Sequence, residues 1–163
     1  MIMSWESLYV LILLITANST PWIVGKLSAG RAAWPMDGGR IAWDGERWLG
    51  CHKTWRGFLC GILASAMVSE LCTGNVLSGA GFGALSLTGD ALSSFIKRRL
   101  RCAPGAEVPL IDQLPECLLP LLAYAPHLGL TIYDVLGAAL AFSIMGLALT
   151  RLRAVMFMLA RRN

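Results

Sequence analysis

Five apolar stretches follow one another along the chain, and shorter segments that carry most of the charge separate them. The stretches cover approximately residues 5–24, 57–71, 76–95, 114–124 and 132–150. A membrane-spanning helix needs about 20 mostly apolar residues, so the first, third and fifth stretches are long enough and the other two are short. The pattern predicts an all-α membrane protein with about five transmembrane helices.

Two stretches leave alternatives open. Pro115 and Pro120 interrupt the fourth, which is either a kinked span or a re-entrant helix beside four full spans. The first stretch is either an uncleaved helix or a signal peptide. We favour the uncleaved helix, because no basic residue precedes it and Asn18-Ser19-Thr20-Pro21 is a poor cleavage site.

The third stretch is rich in small residues, among them Gly79, Gly81, Gly83 and Gly89. Small residues let helix backbones approach closely in lipid, where a hydrophobic driving force between helices is missing. We therefore predict that this helix lies in the centre of the bundle.

The composition agrees with a lipid environment. Hydrophobic residues make up 56% of the chain and charged residues 15%, whereas a soluble domain has about 25% charged residues. The length of 163 residues fits a single transmembrane domain, residues 1–163. The five cysteines are scattered and form no Cys-x-x-Cys pair, so neither a disulfide framework nor a zinc site is indicated.

All fourteen Lys and Arg residues fall into three regions that five alternating spans put on one side of the membrane. The positive-inside rule makes that side cytoplasmic, with the amino terminus outside and the carboxyl terminus inside. Anionic headgroups explain the net charge of +4, and no stacking or groove-reading motif indicates nucleic acid. The regions hold Lys26, Arg31, Arg40, Arg47, Lys53 and Arg56; Lys97, Arg98, Arg99 and Arg101; and Arg151, Arg153, Arg161 and Arg162.

The cytoplasmic segment after the first helix contains a predicted hairpin. Asp-Gly pairs at Asp37-Gly38 and Asp44-Gly45 stand between short runs, and Asp-Gly is a strong hairpin signal. Three tryptophans of this segment are suited to the headgroup level, and we assign them no chemistry.

Asp90 leads the most informative group of polar residues. On a helix, Asp90, Ser93, Ser94 and Lys97 share one face. An ionisable residue this close to the hydrocarbon is a functional candidate, and a carboxylate with hydroxyls and a basic cluster suits Mg²⁺ and phosphates. The alternative is an intrahelical network of Asp90 and Lys97 that only ends the helix.

Three further groups are weaker on their own. Lys53-Thr54 leads into the second helix, where backbone N–H groups form an anion site, although the P-loop pattern is absent. Asp112 is either a helix cap or a second metal carboxylate. Asn18 in the first helix either faces the same cavity or forms a polar contact with a neighbouring helix.

These pieces together resemble the CDP-archaeol synthase (CarS-like) family of CTP:lipid-phosphate cytidylyltransferases. The resemblance runs from about residue 18 to residue 122 and depends on the order and spacing of the motifs. They are Ala17-Asn18…Pro21, Pro35-x-Asp37, Gly50-x-x-Lys53-Thr54-x-x-Gly57, Gly89-Asp90…Ser94-Phe95-x-Lys97-Arg98-Arg99, Pro104-Gly105 and Asp112-Gln113-Leu114.

The resemblance implies a compact multi-helix enzyme with its site open to the cytoplasm. It implies Mg²⁺ at Asp90 and Asp112, catalytic roles for Asp90, Lys53 and Lys97, and CTP and lipid phosphate as substrates. The residues it assigns to substrate binding are Asn18, Asp37, Lys53, Thr54, Ser93, Ser94, Lys97, Arg98, Arg99 and Gln113. The family often has another acidic residue soon after Asp112-Gln113-Leu114, where this chain has Pro115 and then Glu116; the sequence leaves the role of Glu116 open.

The expected reaction joins a lipid phosphate, of the archaeal ether type or a bacterial counterpart, to CTP and releases pyrophosphate. A lipid-phosphate phosphatase or alcohol phosphotransferase is less favoured, because the paired aspartates or Cys-x₅-Arg of such enzymes are missing from the sequence. A small transporter or a structural membrane subunit is the alternative from another class, and neither would consume CTP. The oligomeric state is not readable from the sequence.

Overall fold

The computed structural model describes residues 4–29, 31, 33–103, 106 and 108–160. Five helices account for most of these residues, and the β-structure among them is limited to two isolated bridges in the loop before α2. The predicted all-α class is therefore confirmed. The helices are α1 (Trp5–Leu27), α2 (Trp55–Thr73), α3 (Val76–Arg99), α4 (Pro109–Leu128) and α5 (Ile132–Ala160).

Each helix is longer than its apolar stretch, because capping and charge determine the helix ends. The Thr54 side chain accepts a hydrogen bond from the Gly57 N–H and starts α2 before the apolar residues begin. At the same end of the bundle, α3 continues through Lys97, Arg98 and Arg99. Cations in a last turn interact favourably with the negative end of the helix dipole.

The fourth helix is continuous despite its prolines. Pro115 and Pro120 lie inside α4, and a third proline, Pro126, lies in its last turn. The 20 residues of α4 rise about 30 Å, the thickness of a bilayer core, so the segment is long enough to span. By length and hydropathy α1 and α2 match membrane spans, and Ile132–Ala148 of α5 is a shorter apolar helix. The number of spans stays a prediction.

Helix α3 lies in the centre of the bundle, as its glycines predict, and it packs against α1, α2 and α4. A methyl group on Gly83 would come within 2.7 Å of the Ser65 Oγ on α2. A methyl group on Gly89 would overlap the carbonyl of Pro115 on α4. These contacts bring the polar end of α3 against both neighbouring helices.

The apolar core joins α1, α3, α4 and α5, and the outer surface is apolar as well. Leu13, Phe82 and Leu121 are completely buried in this core. On the outside, Leu63 and Leu140 are each about 60% exposed, at 62% and 63%. An apolar exterior of this kind is adapted to lipid rather than water.

We predict that Gly89→Ala lowers the melting temperature of the purified protein in detergent. The added methyl group must displace the α4 backbone, and overpacking of this kind costs roughly 1–3 kcal/mol. Gly137→Ala on α5 is the matched control, since no atom lies within 4 Å of its new Cβ and alanine favours a helix. Equal melting temperatures for the two variants would contradict the close α3–α4 contact.

Candidate active site

Two lysine–aspartate ion pairs lie at the end of the bundle where α2 begins and α3 ends. Lys53 Nζ is 2.5 Å from Asp90 Oδ2, and Lys97 Nζ is 2.5 Å from Asp112 Oδ1. All four side chains are between 15% and 27% exposed. The first pair ties the start of α2 to α3, and the second ties α3 to the first turn of α4. The ion pairs therefore bring together sequence-predicted residues from α3, from α4 and from the segment just before α2.

The pairs differ from the intrahelical network considered above. Asp90 and Lys97 are seven residues apart on α3, which separates them by about 10 Å along the helix axis, and each finds its partner on another element. The second oxygen of Asp112, Oδ2, accepts a hydrogen bond from the Val108 N–H at 2.9 Å. Asp112 therefore serves as a helix-start acceptor and as a member of the site.

Glu116 lies one turn after Asp112 on α4 and is partly buried. Its backbone carbonyl accepts a hydrogen bond from the Ser86 hydroxyl at 2.9 Å. The acidic residue that follows Asp112-Gln113-Leu114 is thus on the same helix as Asp112, and a role for its carboxyl group in the site stays a prediction.

The two serines of the Asp90 face are turned inward. Ser93 and Ser94 are 1% and 7% exposed, and their hydroxyls donate to the Asp90 carbonyl oxygen at 2.9 and 3.1 Å. Adjacent residues on a helix point about 100° apart, and of the two only Ser94 lines a cavity found among the described residues. Ser93 is packed inside the bundle, and its contact with substrate stays a prediction.

Asn18 and Gln113 bond between helices. Asn18 Nδ2 donates to Ser86 Oγ at 2.9 Å, and Ser86 Oγ donates to the Glu116 carbonyl at 2.9 Å, which links α1, α3 and α4 directly beneath the site. Gln113 Nε2 donates to the Ser143 carbonyl of α5 at 3.2 Å. Gln113 follows Asp112 on the helix and therefore points in a different direction, and its contact with substrate stays a prediction.

Asp37 organises the loop that covers the site. Its carboxylate, 1% exposed, accepts from Arg47 Nη2 at 2.7 Å and from the N–H groups of Gly39, Leu49 and Gly50. Burial would raise the pKa of Asp37, but the Arg47 guanidinium and these N–H groups prevail and lower the pKa from 3.8 to about 2. The predicted hairpin is present as a bridge between Ile41 and Arg47. Asp37 therefore bonds within its own loop, and its contact with substrate stays a prediction.

The three basic residues at the end of α3 make different contacts. Lys97 and Arg98 line a cavity, and Arg98 Nη2 also donates to the Ala103 carbonyl at 3.2 Å. Arg99 turns towards the loop, where its guanidinium donates to Asp44 Oδ1 at 2.8 Å and to the Arg47 carbonyl at 2.7 Å. Arg99 therefore contacts the loop in this structure, and its contact with substrate stays a prediction.

Two adjoining cavities open at this end of the bundle. The larger, about 260 Å³, lies between the loop and α3 and is lined by basic and polar groups that include Lys53, Ser94, Lys97 and Arg98. The smaller, about 50 Å³, lies between α1, α2 and α3 and includes Thr54 and Asp90. Lys53 and His52 line both cavities. Lys53 and His52 are therefore at the junction of the two.

The donor set suits Mg²⁺ that arrives with a phosphate ligand. Among the described residues no three His, Cys, Asp or Glu side chains stand close enough to hold a metal by themselves. Mg²⁺ is commonly held by one or two carboxylates, with waters and substrate phosphates completing the shell. Asp90 and Asp112 provide two hard carboxylates of that kind, so the residues fit the metal.

Several residues of the site carry no strong sequence signal. Ser86 is one of many hydroxyls in the third helix, and Arg47 is one of six basic residues in its region. His52 lines both cavities, and only its place directly before Lys53 pointed to it. The motif residues Pro104-Gly105 lie outside the residues that the structure describes.

Comparison with known proteins gives consistent matches. A family model described as CarS-like, CDP-archaeol synthase, matches residues 1–79 and 68–157. The CDP-archaeol synthase of Hyperthermus butylicus is 34% identical over 154 residues, which cover 90% of this chain and 86% of that protein. That of Aeropyrum pernix is 36% identical, covering 77% and 72%. That of Staphylothermus marinus is 37% identical, covering 66% of this chain but only 61% of its own length.

A solved structure is also similar. It is described as an intramembrane enzyme for archaeal membrane lipids biosynthesis, and it is 32% identical to this chain with a TM-score of 0.74. The match covers 87% of this chain and 90% of that one. Sequence and fold therefore agree over most of the molecule.

We predict that Asp37→Asn loosens the loop and speeds tryptic cleavage after Arg40 or Arg47. An amide is a weaker acceptor for a guanidinium than a carboxylate is. Because the folded pKa is lowered, the stabilisation is present above pH 3.8 and is lost as the pH falls towards 2. Hydrogen exchange over residues 36–50 should therefore rise in acid for the parent protein.

The exposed carboxylate of Glu70, at the opposite end of α2, provides the control Glu70→Gln. It should leave cleavage and exchange in the loop unchanged. Identical loop protection in Asp37→Asn and the parent protein would show that Asp37 does not organise the loop.

Proposed function

This chain belongs to the CarS-like family of CDP-archaeol synthases, and on that premise we propose that it works through the two lysine–aspartate pairs. The reaction is CTP-dependent transfer of a cytidylyl group to a lipid phosphate of the archaeal type, which forms a CDP-lipid. The observation that carries the assignment of the site is the convergence of Lys53, Lys97, Asp90 and Asp112 beside a cavity of about 260 Å³.

The chemistry needs positioning and charge neutralisation rather than a protein nucleophile. An oxygen of the lipid phosphate attacks the α-phosphorus of CTP, the bond from that phosphorus to the bridging oxygen breaks, and pyrophosphate leaves. Negative charge grows on the transferred phosphoryl group and on the leaving group. Fixed cations in a site with little water stabilise such charge strongly.

The lysines supply these cations by exchanging partners. Without nucleotide, Lys53 and Lys97 neutralise Asp90 and Asp112. When CTP enters the larger cavity, its phosphates compete for the lysines, and Arg98 and Ser94 on the cavity wall add donors. Mg²⁺, when bound, supplies Lewis-acid neutralisation of the phosphates, and Asp90 and Asp112 are the residues that would hold it.

Four other predicted residues hold the lysines, the aspartates and the loop in place. Thr54 caps α2 and fixes the backbone next to Lys53. Asn18 ties α1 to α3 below Asp90, and Asp37 and Arg99 hold the loop over the larger cavity. We assign these four to positioning rather than to direct catalysis.

The proposed reaction is tested with purified protein, Mg²⁺, each nucleoside triphosphate in turn and an isoprenoid-ether lipid phosphate in detergent micelles. Pyrophosphate should be released with CTP and the lipid phosphate together. Release that does not depend on the lipid, or no release with any lipid phosphate, would contradict the proposal.

We predict that Asp90→Asn lowers turnover by at least ~100-fold while the protein stays folded. The amide keeps the size of the side chain but removes the charge that a hard cation and Lys53 both use. Asp134→Asn is the matched control, because Asp134 bonds to Ser7 and Thr131 at the other end of the bundle. Pyrophosphate release and Mn²⁺ binding in the presence of CTP are the measurements; parent-like values for both would refute the assignment.

The orientation follows from the same charges. We propose that the cavities face the cytoplasm, with the amino terminus outside. Two variants are compared, one that keeps Cys51 as its only cysteine and one in which His127→Cys is the only cysteine. An impermeant maleimide added to intact cells should then miss the exposed Cys51 of the loop and label His127→Cys, at the exposed end of α4. The reverse labelling pattern would invert the topology.

A further inference from the structure

The smaller cavity differs from the larger one in size and in wall chemistry. It measures about 50 Å³, against about 260 Å³ for the larger cavity. A single water needs roughly 10–15 Å³ of such space, so the smaller cavity has room for a phosphate group but not for a nucleotide. Its walls are the apolar side chains of Pro21, Phe58, Leu87 and Ala91.

One end of this cavity is polar. The side chains of Lys53 and Asp90 line it, together with Thr54 at the start of α2. Backbone N–H groups and the helix dipole make the start of a helix favourable for an anion. The phosphate head of an apolar molecule matches these walls, because the head meets the Lys53 ammonium group while the carbons next to it contact apolar side chains.

The close packing of the helices limits the cavity on two sides. A Cβ on Gly57 would lie 3.0 Å from the Pro21 Cβ, so α1 and α2 touch there. A Cβ on Gly61 would lie 2.7 Å from the Leu87 Cδ1, so α2 and α3 touch one turn further into the bundle. The cavity is thus a defined space at the polar end of three helices.

We propose that the smaller cavity binds the phosphate of the lipid substrate, while CTP occupies the larger one. The inference rests on the proposed function. Transfer requires an oxygen of the lipid phosphate to meet the α-phosphorus of CTP, and the two cavities meet at His52 and Lys53. Lys53, turned from Asp90 towards the junction, then neutralises both phosphates at the point of transfer.

The test changes each cavity separately. Ala91→Leu fills the smaller cavity with three additional carbons. It should raise the KM for the lipid phosphate roughly tenfold or more, since small volume changes in an apolar site cost that much. The affinity for CTP, measured by equilibrium binding without lipid, should change less than about twofold. Cys51→Trp, on the wall of the larger cavity, should show the reverse pattern.

Thr88→Leu is the matched control, since Thr88 is exposed on the same helix and lines neither cavity. It should leave both constants unchanged. If Ala91→Leu does not fold, as judged by its melting temperature, Ala91→Val tests the same direction with a smaller side chain. Binding of radiolabelled lipid phosphate in dodecyl maltoside micelles measures the lipid affinity without turnover.

Weakened CTP binding in Ala91→Leu, or unchanged lipid affinity, would overturn the subsite. The proposed function fails in a different way. If the proposed function is wrong, the parent protein binds CTP and lipid phosphate but releases no pyrophosphate. The effect of Ala91→Leu on lipid binding is still measurable in that case.

Discussion

Charge neutralisation close to hydrocarbon is the constraint on which this structure depends. A lone carboxylate or ammonium group there is costly, and a paired one is tolerated. Asp90 and Asp112 are each neutralised by a lysine from another element. The pairs fix the positions of α2, α3 and α4 relative to one another at one end. They also provide the cations and the hard oxygen ligands that phosphate chemistry needs. The same four side chains therefore stabilise the substrate-free protein and supply the charged groups that substrate needs.

The three consecutive basic residues at the end of α3 show how helical geometry separates functions. Lys97 pairs with α4, Arg98 faces the larger cavity, and Arg99 holds the loop through Asp44 and the Arg47 carbonyl. The Arg99 guanidinium also lies 5.3 Å from the Trp43 ring centroid and 5.0 Å from that of Phe95. The basic residues that predict the membrane orientation thus also hold the loop over the larger cavity and line one side of that cavity.

The sequence predicted the helices well and the pairing of side chains only in part. Apolar runs determine where α1, α2, α3 and α5 lie, and the glycines of α3 predict its central position. The continuity of α4 through Pro115 and Pro120 depends on packing against α3, which no local pattern records. Lys53 and Asp90 are 37 residues apart, so periodicity selects each of them but not their contact. The bond from Gln113 to the Ser143 carbonyl was not predicted, because a motif gives spacing whereas the helix turns by about 100° per residue.

The short connection between α2 and α3 limits how far the two helices can separate. Only Gly74, in a left-handed conformation at φ 68°, and Asn75, which caps α3, separate the two helices. This helix pair is therefore closed by a covalent turn at one end and by the Lys53–Asp90 ion pair at the other. Any opening between α2 and α3 has to begin at the end that carries the site, where the closing contact is one that a phosphate can replace.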